Sequence, residues 1–185
     1  IDARRKVNRP TVRLIAAWRT RKHDTLVLAV ARAEAIRLAT RILELDVEVQ
    51  TNERALLKIV NDNAPGLLDL AGVGPFNAAI VLAAWSHPGR VRDEAGFAKL
   101  GGVCPLEVSS GRSHEHRLNR TGDRQLNRAL HSIAQTRMRH DPRTRAYVER
   151  RTAESLTKPR IRRCLKRYIA REIYRHLTAT GLDTL

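Results

Sequence analysis

Between residues 24 and 64 the chain alternates apolar and polar positions at helical spacing, without a single Gly or Pro. This pattern predicts one helix of roughly ten turns, rich in Ala, Leu, Glu and Arg. Its apolar or small residues fall near heptad spacing, at Leu26, Ala29, Ala33, Ile36, Leu43 and Val47, and again at Leu57 and Val60. Such spacing favours a coiled coil, and a helix folded back on its own domain is the alternative.

Shorter helical patterns fill the rest of the chain, each preceded by a residue that favours a helix start. Asp93, Asp123 and Asp141 stand before three of them as candidate N-caps. The last helix, Lys158 to Leu177, gathers on one face Ile161, Leu165, Tyr168, Ile169, Ile173 and Leu177. Residues 103–121 are expected to be irregular, with at most a short hairpin. We therefore predict an all-α fold, with a basic segment and long helix over 1–63 and a compact helical domain over 64–185.

The segment 65–86 carries the most informative turn. An apolar stretch leads into Gly72-Val73-Gly74, and Pro75 suits the first position of the helix that follows. We predict a helix-hairpin-helix, a tight turn between two short helices. Exposed N–H groups at a helix start bind phosphate well, so Gly72 and Gly74 are candidate nucleic-acid contacts, with a packing corner as the structural alternative.

The excess of positive charge is concentrated in the C-terminal half of the chain. The chain has 35 Lys and Arg against 19 Asp and Glu, a formal net charge of +16. Residues 112–175 hold 19 basic and 6 acidic side chains, whereas residues 41–111 hold 6 basic and 9 acidic ones. An excess concentrated in one part of the chain favours a polyanion-binding face over a generally solvated surface.

The remaining composition narrows the class of protein. Cys104 and Cys164 give neither a disulfide framework nor metal-ligand spacing, and they fit a reducing compartment. No apolar run approaches membrane-spanning length, so no membrane partner is expected, and we expect a cytoplasmic, nucleoid-associated protein. The chain begins with Ile1 rather than Met, and we expect it to be part of a longer protein.

Ser109-Ser110-Gly111-Arg112, within the predicted loop 104–121, is the candidate site of chemistry. A serine hydroxyl can attack a phosphodiester when cations surround the phosphate and the hydroxyl can lose its proton. Four arginines could supply the cations: Arg112, Arg117, Arg120 and Arg124. Judged by residue types alone, a polar loop whose serines cap backbone groups is the commoner situation.

The order of motifs over Leu67 to Leu177 resembles the C-terminal domain of the IS110 family of insertion-sequence transposases. The pieces are the Gly-Val-Gly-Pro turn, the Phe97 to Pro105 segment, Ser-Ser-Gly, the Leu118 to Asn127 segment and Arg145-Ala146-Tyr147. One turn departs from the family: Glu154-Ser155-Leu156 stands where members commonly carry glycine before the last helix.

The resemblance implies a specific function. Members are recombinases guided by a bridge RNA, and their serine nucleophile corresponds to Ser110, with Ser109 as second choice. It also implies an RNase-H-like domain that precedes the coiled coil and binds Mg²⁺, and no matching segment is found in these residues. The chain would then be inactive alone, would bind DNA and a guide RNA, and would form dimers or tetramers through the coiled coil.

Two other functions remain open at the level of sequence. A non-enzymatic helix-hairpin-helix DNA-binding adaptor would explain the charge and the turn but not the serine loop. A basic RNA-binding structural protein fits the long helix less well. His114 and His116 bracket Glu115, but no third ligand is evident, so we predict no metal site on this chain.

Overall fold

The structure is a computed structural model that describes residues 7–110, 113–117, 119 and 121–179, with the strands described by their backbone alone. Its helices are α1 (Arg9–Ala16), α2 (Leu26–Asn63), α3 (Pro75–Trp85), α4 (Glu94–Leu100), α5 (Arg124–His140), α6 (Pro142–Ala153) and α7 (Lys158–Ala179). A 3₁₀ turn occupies Leu67–Asp69, and strands β1 (Leu106–Ser110) and β2 (Ser113–Arg117) form one antiparallel pair. The predicted all-α class is confirmed, with this two-stranded hairpin as the only sheet among the described residues.

The long helix α2 runs for 38 residues and matches the predicted span closely. Asp24, which precedes α2, does not cap its first turn. The Asp24 carboxylate instead accepts a 2.6 Å hydrogen bond from Arg32 Nε, and Thr25 Oγ1 accepts a long one from the Leu28 N–H. Asp24 is thus held by the guanidinium of Arg32, eight residues further along the chain, and this hydrogen bond lowers the pKa of its carboxyl group.

The chain divides into two compact units, Ile1–Ala55 and Leu56–Leu185, and the predicted boundary after residue 63 stays a prediction. In the first unit the basic N-terminal segment forms α1, which was not predicted. Asn8 caps α1 by accepting from the Thr11 N–H at 3.0 Å, and Arg9 pairs with Asp46 of α2 at 2.8 Å. Val12 and Ala39 are buried in this unit, so α1 lies against one side of α2.

The second unit surrounds α7 with α4, α5 and α6 and holds most of the buried apolar side chains. Five predicted positions of the α7 face are buried: Ile161, Leu165, Ile169, Ile173 and Leu177. Tyr168 is 55% exposed, and its ring contacts Tyr147 at the edge of the unit. Trp85 is buried among Phe97 and Tyr174, with ring centroids 6.0 and 5.5 Å away, and is part of the core of this unit.

Side-chain caps fix where the helices of this unit begin. Asp93 accepts from the Gly96 N–H at 2.7 Å, Asp123 from the N–H groups of Gln125 and Leu126, and Asp141 from the Thr144 N–H at 3.0 Å. All three caps are as predicted. No helix among the described residues is long and apolar enough to cross a membrane.

Candidate functional site

The predicted serine loop is a β-hairpin, which we call the serine hairpin: β1, residues 111–112 and β2. Its register pairs Ser110 with Ser113 and Ser109 with His114. Ser110 therefore ends β1 beside the two-residue connection, and Ser109 is one pair further from it. Because successive strand positions belong to opposite faces, the register groups Ser109 with His114 and separates both from Ser110.

The structure describes the four predicted arginines of this region to different extents. Arg112 and Arg120 lie outside the described residues, and Arg117 is described only by its backbone in β2. Arg124 is exposed at the first position of α5, directly after the Asp123 cap. Its guanidinium is therefore open to solvent at the end of the segment that follows the hairpin.

The serine hairpin is joined to the rest of the unit by a tightly closed base, formed among the described residues by 100–102, 119 and 121–123. The Asp123 N–H donates to the Leu100 carbonyl at 2.7 Å, and Asn119 Nδ2 donates to the Lys99 carbonyl at 3.4 Å. Asn119 is 7% exposed, and its Oδ1 accepts from both the N–H and the hydroxyl of Thr121. The two ends of the hairpin are thereby held together by hydrogen bonds that do not involve the strands.

Two glycines allow this closure. A Cβ on Gly122 would lie 2.4 Å from the Gly102 nitrogen and 2.7 Å from the Leu100 carbonyl oxygen. Gly102 itself has a φ of +63°, a conformation that glycine adopts readily. The two backbones therefore touch directly, and no side chain fits between them.

A further hydrogen bond ties this hairpin base to the helical core. Asn127 Nδ2, on the first turn of α5, donates to the Gly101 carbonyl at 2.7 Å. Asn119 and Asn127 were not predicted as functional residues, although both flank the Thr-Gly-Asp turn. Their amides can each donate to one backbone carbonyl and accept elsewhere, which is the property that such a closure needs.

A shallow cavity of about 370 Å³ opens beside the hairpin base. Three cations, Arg90, Arg92 and Lys99, line it together with Thr121 and Gly122. Arg92 has a 95% exposed side chain and only a long, 3.6 Å contact with Asp93. A concave surface lined by cations suits a phosphate-bearing ligand.

The glycine turn at Gly72 has a structural role in this fold. Gly72 has a φ of +75°, and a Cβ there would lie 3.1 Å from the Ile133 carbonyl oxygen of α5. Arg137 holds the turn from inside, donating from Nε to the Ala71 carbonyl at 2.6 Å while it pairs with Glu172. Gly72 thus forms a packing corner, and its role as a nucleic-acid contact stays a prediction.

Gly74 is different, because it caps α3 and has open space around its Cα. The element before the turn is the 3₁₀ turn Leu67–Asp69 rather than an α-helix, so a complete helix-hairpin-helix is not shown. Phe76, 57% exposed, follows at the start of α3. Gly74 therefore retains its candidacy as a nucleic-acid contact, whereas the geometry of Gly72 is explained by packing.

No group of three or more His, Cys, Asp or Glu side chains able to hold a metal ion occurs among the described residues. The His114-Glu115-His116 segment lies in β2, whose side chains fall outside the description. Cys104 and Cys164 are free thiols, each partly exposed.

Part of the chain matches a known protein family. Residues 64–149 match the family model described as "Transposase IS116/IS110/IS902 family". This range includes the glycine turn, the hairpin base and the serine hairpin.

A curated relative supports the same family. The chain is 35% identical over 112 residues to the "Insertion element IS110 uncharacterized 43.6 kDa protein" of Streptomyces coelicolor. The aligned residues make up 60% of this chain and 27% of that protein. The chain thus spans about a quarter of the length of the relative that it matches.

Proposed function

Because residues 64–149 match the model of the transposase IS116/IS110/IS902 family, we propose that the chain is the C-terminal part of a DNA transposase or site-specific recombinase. The observation that carries the proposal is the extent of the family match, which runs continuously from the glycine turn through the serine hairpin into α6. The surrounding charge is consistent with a DNA substrate, since residues 112–175 carry 19 basic and 6 acidic side chains.

The proposed chemistry is attack by a serine on a DNA phosphodiester. Ser110 Oγ forms a bond to phosphorus, the bond to one deoxyribose oxygen breaks, and the serine proton is lost as the leaving oxygen gains one. The product is a phosphoserine ester that conserves the energy of the broken bond for strand exchange. Ser110 is favoured over Ser109 because it ends β1 beside the connection of the serine hairpin.

Positive charge near the serine would stabilise the phosphorane-like transition state. Arg112, Arg117, Arg120 and Arg124 are the proposed phosphate contacts from the hairpin and its C-terminal end. The cavity lined by Arg90, Arg92 and Lys99 extends this cationic surface along the hairpin base. Fixed cations of this kind lower the barrier of phosphoryl transfer by stabilising negative charge as it develops.

Magnesium is expected in the full enzyme, where it would neutralise phosphate charge. The described residues do not fit such a site, since they contain no cluster of three candidate ligands. We therefore propose that the metal is held by an RNase-H-like domain outside these 185 residues, and that this chain alone does not cut DNA. A guide RNA is the second proposed polyanionic partner.

The long helix is proposed to join copies of the chain as a coiled coil. Apolar side chains of α2 that remain about half exposed follow a 4-3-4 spacing: Leu38, Ile42, Leu45 and Val49. We call these four residues the seam. Alternation of Ile or Val with Leu at such spacing is typical of parallel two-stranded coiled coils.

The decisive experiment compares Ser110→Ala with Ser109→Ala in the full-length transposase. We expect Ser110→Ala to lower strand exchange by roughly a thousandfold or more, with DNA affinity changed less than about twofold, because only the nucleophile is removed. Ser109→Ala should retain most of the activity. The measurements are a recombination assay and a denaturing gel for covalent protein–DNA adducts.

Each outcome has a clear meaning. Normal recombination by Ser110→Ala would refute the assignment of the nucleophile. Loss of activity in Ser109→Ala alone would transfer the role to Ser109. Absence of both the adduct and strand exchange, with DNA binding retained, would favour the non-enzymatic DNA-binding adaptor.

A further inference from the structure

Two cations and two neutral polar side chains lie together where α5 and α7 pack. Asn127 and His131 are one turn apart on α5, and Arg162 and Lys166 are one turn apart on α7. Lys166 Nζ donates a 2.7 Å hydrogen bond to Asn127 Oδ1, which joins the two helices. We call these four residues the cationic ladder. None of them was singled out from the sequence.

The ladder lacks a carboxylate among the described residues. Neither Arg162 nor Lys166 forms an ion pair there, although both side chains are partly buried. Acids on or against α7 are engaged elsewhere: Glu172 of α7 pairs with Arg137, and Glu94 of α4 pairs with Arg171 and Arg175. Half-buried cations are ordinarily matched by acids, so this arrangement leaves positive charge uncompensated.

The electrostatic consequence is a lowered pKa at two residues of the ladder. Burial, and next the charge of Arg162, lower the pKa of Lys166 to about 8. Burial lowers the pKa of His131 as well, followed by the charges of Lys166 and Arg162. Like charges held together in this way favour a bound anion, because the anion relieves both the repulsion and the loss of solvation.

The position of the ladder connects it to the candidate reaction site. The Asn127 amide that accepts from Lys166 also donates to the Gly101 carbonyl at the hairpin base. Two successive hydrogen bonds therefore connect the Lys166 ammonium, through Asn127, to the Gly101 carbonyl at the base of the serine hairpin. Only one of the three N–H donors of Lys166 is used by this path.

We propose that Arg162 and Lys166, with His131 and Asn127 beside them, bind a backbone phosphate of DNA next to the base of the serine hairpin. The identity of the polymer rests on the proposed function, whereas the anion site follows from the packing of α5 on α7. Arg162 supplies a permanently charged fork, and Lys166 supplies a point charge fixed by Asn127. Binding there would hold the DNA strand in a constant position relative to the hairpin.

The test uses the whole chain and a fluorescein-labelled DNA duplex of about two helical turns, followed by fluorescence anisotropy. Lys166→Met keeps the apolar stem but removes the charge, and we expect it to weaken binding about five- to tenfold at ~0.1 M salt. The slope of log affinity against log salt should fall by about 0.9, the value for one lost phosphate contact. Arg163→Gln, at an exposed position of the same helix, is the control and should have a smaller effect.

A pH series separates a phosphate contact from general charge. Only charged lysine attracts phosphate, so the affinity of the unmodified chain should decrease as pH rises from 7 to 9, through the pKa of Lys166 near 8. His131, whose pKa is lowered from 6.5, is neutral throughout this range, and Arg162 stays charged. Lys166→Arg should bind about as well as the unmodified chain and lose this pH dependence.

The outcomes are distinguishable from those of the serine experiment. Equal effects of Lys166→Met and Arg163→Gln, with both variants folded by circular dichroism, would overturn the proposed phosphate site. So would an unchanged pH dependence in Lys166→Arg. A failed serine assignment would leave these binding results intact, because the duplex assay requires no strand exchange.

Discussion

Two turns of this molecule close tightly, one because it contains glycine and one because a serine adopts the backbone conformation that glycine favours. At the hairpin base, the Gly122 Cα lies where a side chain would meet the Gly102 backbone at 2.4 to 2.6 Å. At the end of α6 the same requirement is met by a serine. Ser155 has a φ of +64°, and its N–H and that of Leu156 donate to the Thr152 and Arg151 carbonyls. These bonds form a Schellman motif, which usually contains glycine at this position.

Ser155→Gly should stabilise the chain by roughly 0.5–1 kcal/mol. The left-handed conformation costs a non-glycine residue about 1–2 kcal/mol, and the greater freedom of glycine in the unfolded chain offsets part of the gain. Urea titration of both proteins measures the free energy of unfolding. Ser155→Ala is the control, since alanine keeps the strain, and a gain there would indicate another cause.

The departure from the family pattern at Ser155 thus has a local physical meaning. The sequence analysis noted that serine replaces the usual glycine, and the backbone nevertheless adopts the conformation that glycine would favour. The turn is preserved by its two hydrogen bonds and by the helices on either side.

At the scale of elements, α2 presents two distinct faces. Ala29, Ile36 and Leu43, predicted from heptad spacing, are partly buried within the first unit, on the side that includes buried Ala39. The seam lies on another side of α2 and remains about half exposed, between 42% and 61%. The spacing was therefore interpreted correctly as heptad-like. However, α2 carries two stripes of apolar residues with such spacing, and the sequence alone did not show which of the two is partly buried.

Replacing two seam residues should convert an oligomer to a monomer. Ile42→Glu with Leu45→Glu puts like charges where facing helices would pack, while glutamate preserves helix formation. Sedimentation equilibrium at tens of micromolar should show a dimer or tetramer for the unmodified chain and a monomer for the variant. Val47→Glu, at a 63% exposed position outside the seam, is the matched control and should leave the oligomer intact.

Two results would contradict the proposal that the seam joins copies of the chain. A monomeric unmodified chain at that concentration would remove the basis for a coiled coil. An oligomer that survives the double substitution but not Val47→Glu would assign the contact to a different face of α2.

The helix ends were predictable because single side chains specify them. Asp93, Asp123 and Asp141 each accept from N–H groups of the first turn, so each boundary depends on one residue. The missed α1 is specified in the same way by Asn8 and Pro10 but is only 8 residues long. The hairpin base and the cationic ladder were harder to predict, because they arise from contacts between distant residues, 26 residues apart for Asn127 to Gly101 and 39 for Lys166 to Asn127.

At the scale of the whole molecule, core and charge are concentrated in the same unit. Of the buried apolar side chains described, only Val12 and Ala39 lie before residue 56. Residues 56–185 contain 23 basic and 12 acidic side chains, whereas residues 1–55 contain 12 and 7. The second unit thus has its own core and most of the positive charge, while the first unit carries most of the exposed apolar surface of α2.

This division predicts how DNA binding separates from assembly. A chain that starts at Leu56 should fold cooperatively and bind a DNA duplex with the same salt slope per chain, because the phosphate contacts belong to the second unit. Its apparent affinity should be lower than that of the oligomeric chain, since linked copies bind the same duplex with a raised effective concentration. The monomeric Ile42→Glu, Leu45→Glu variant should show the same reduced affinity, measured by anisotropy under identical salt. The salt slope of the shortened chain could instead fall by an amount equivalent to several phosphate contacts while that of the double variant is unchanged. That result would assign DNA contacts to the basic residues that precede α2.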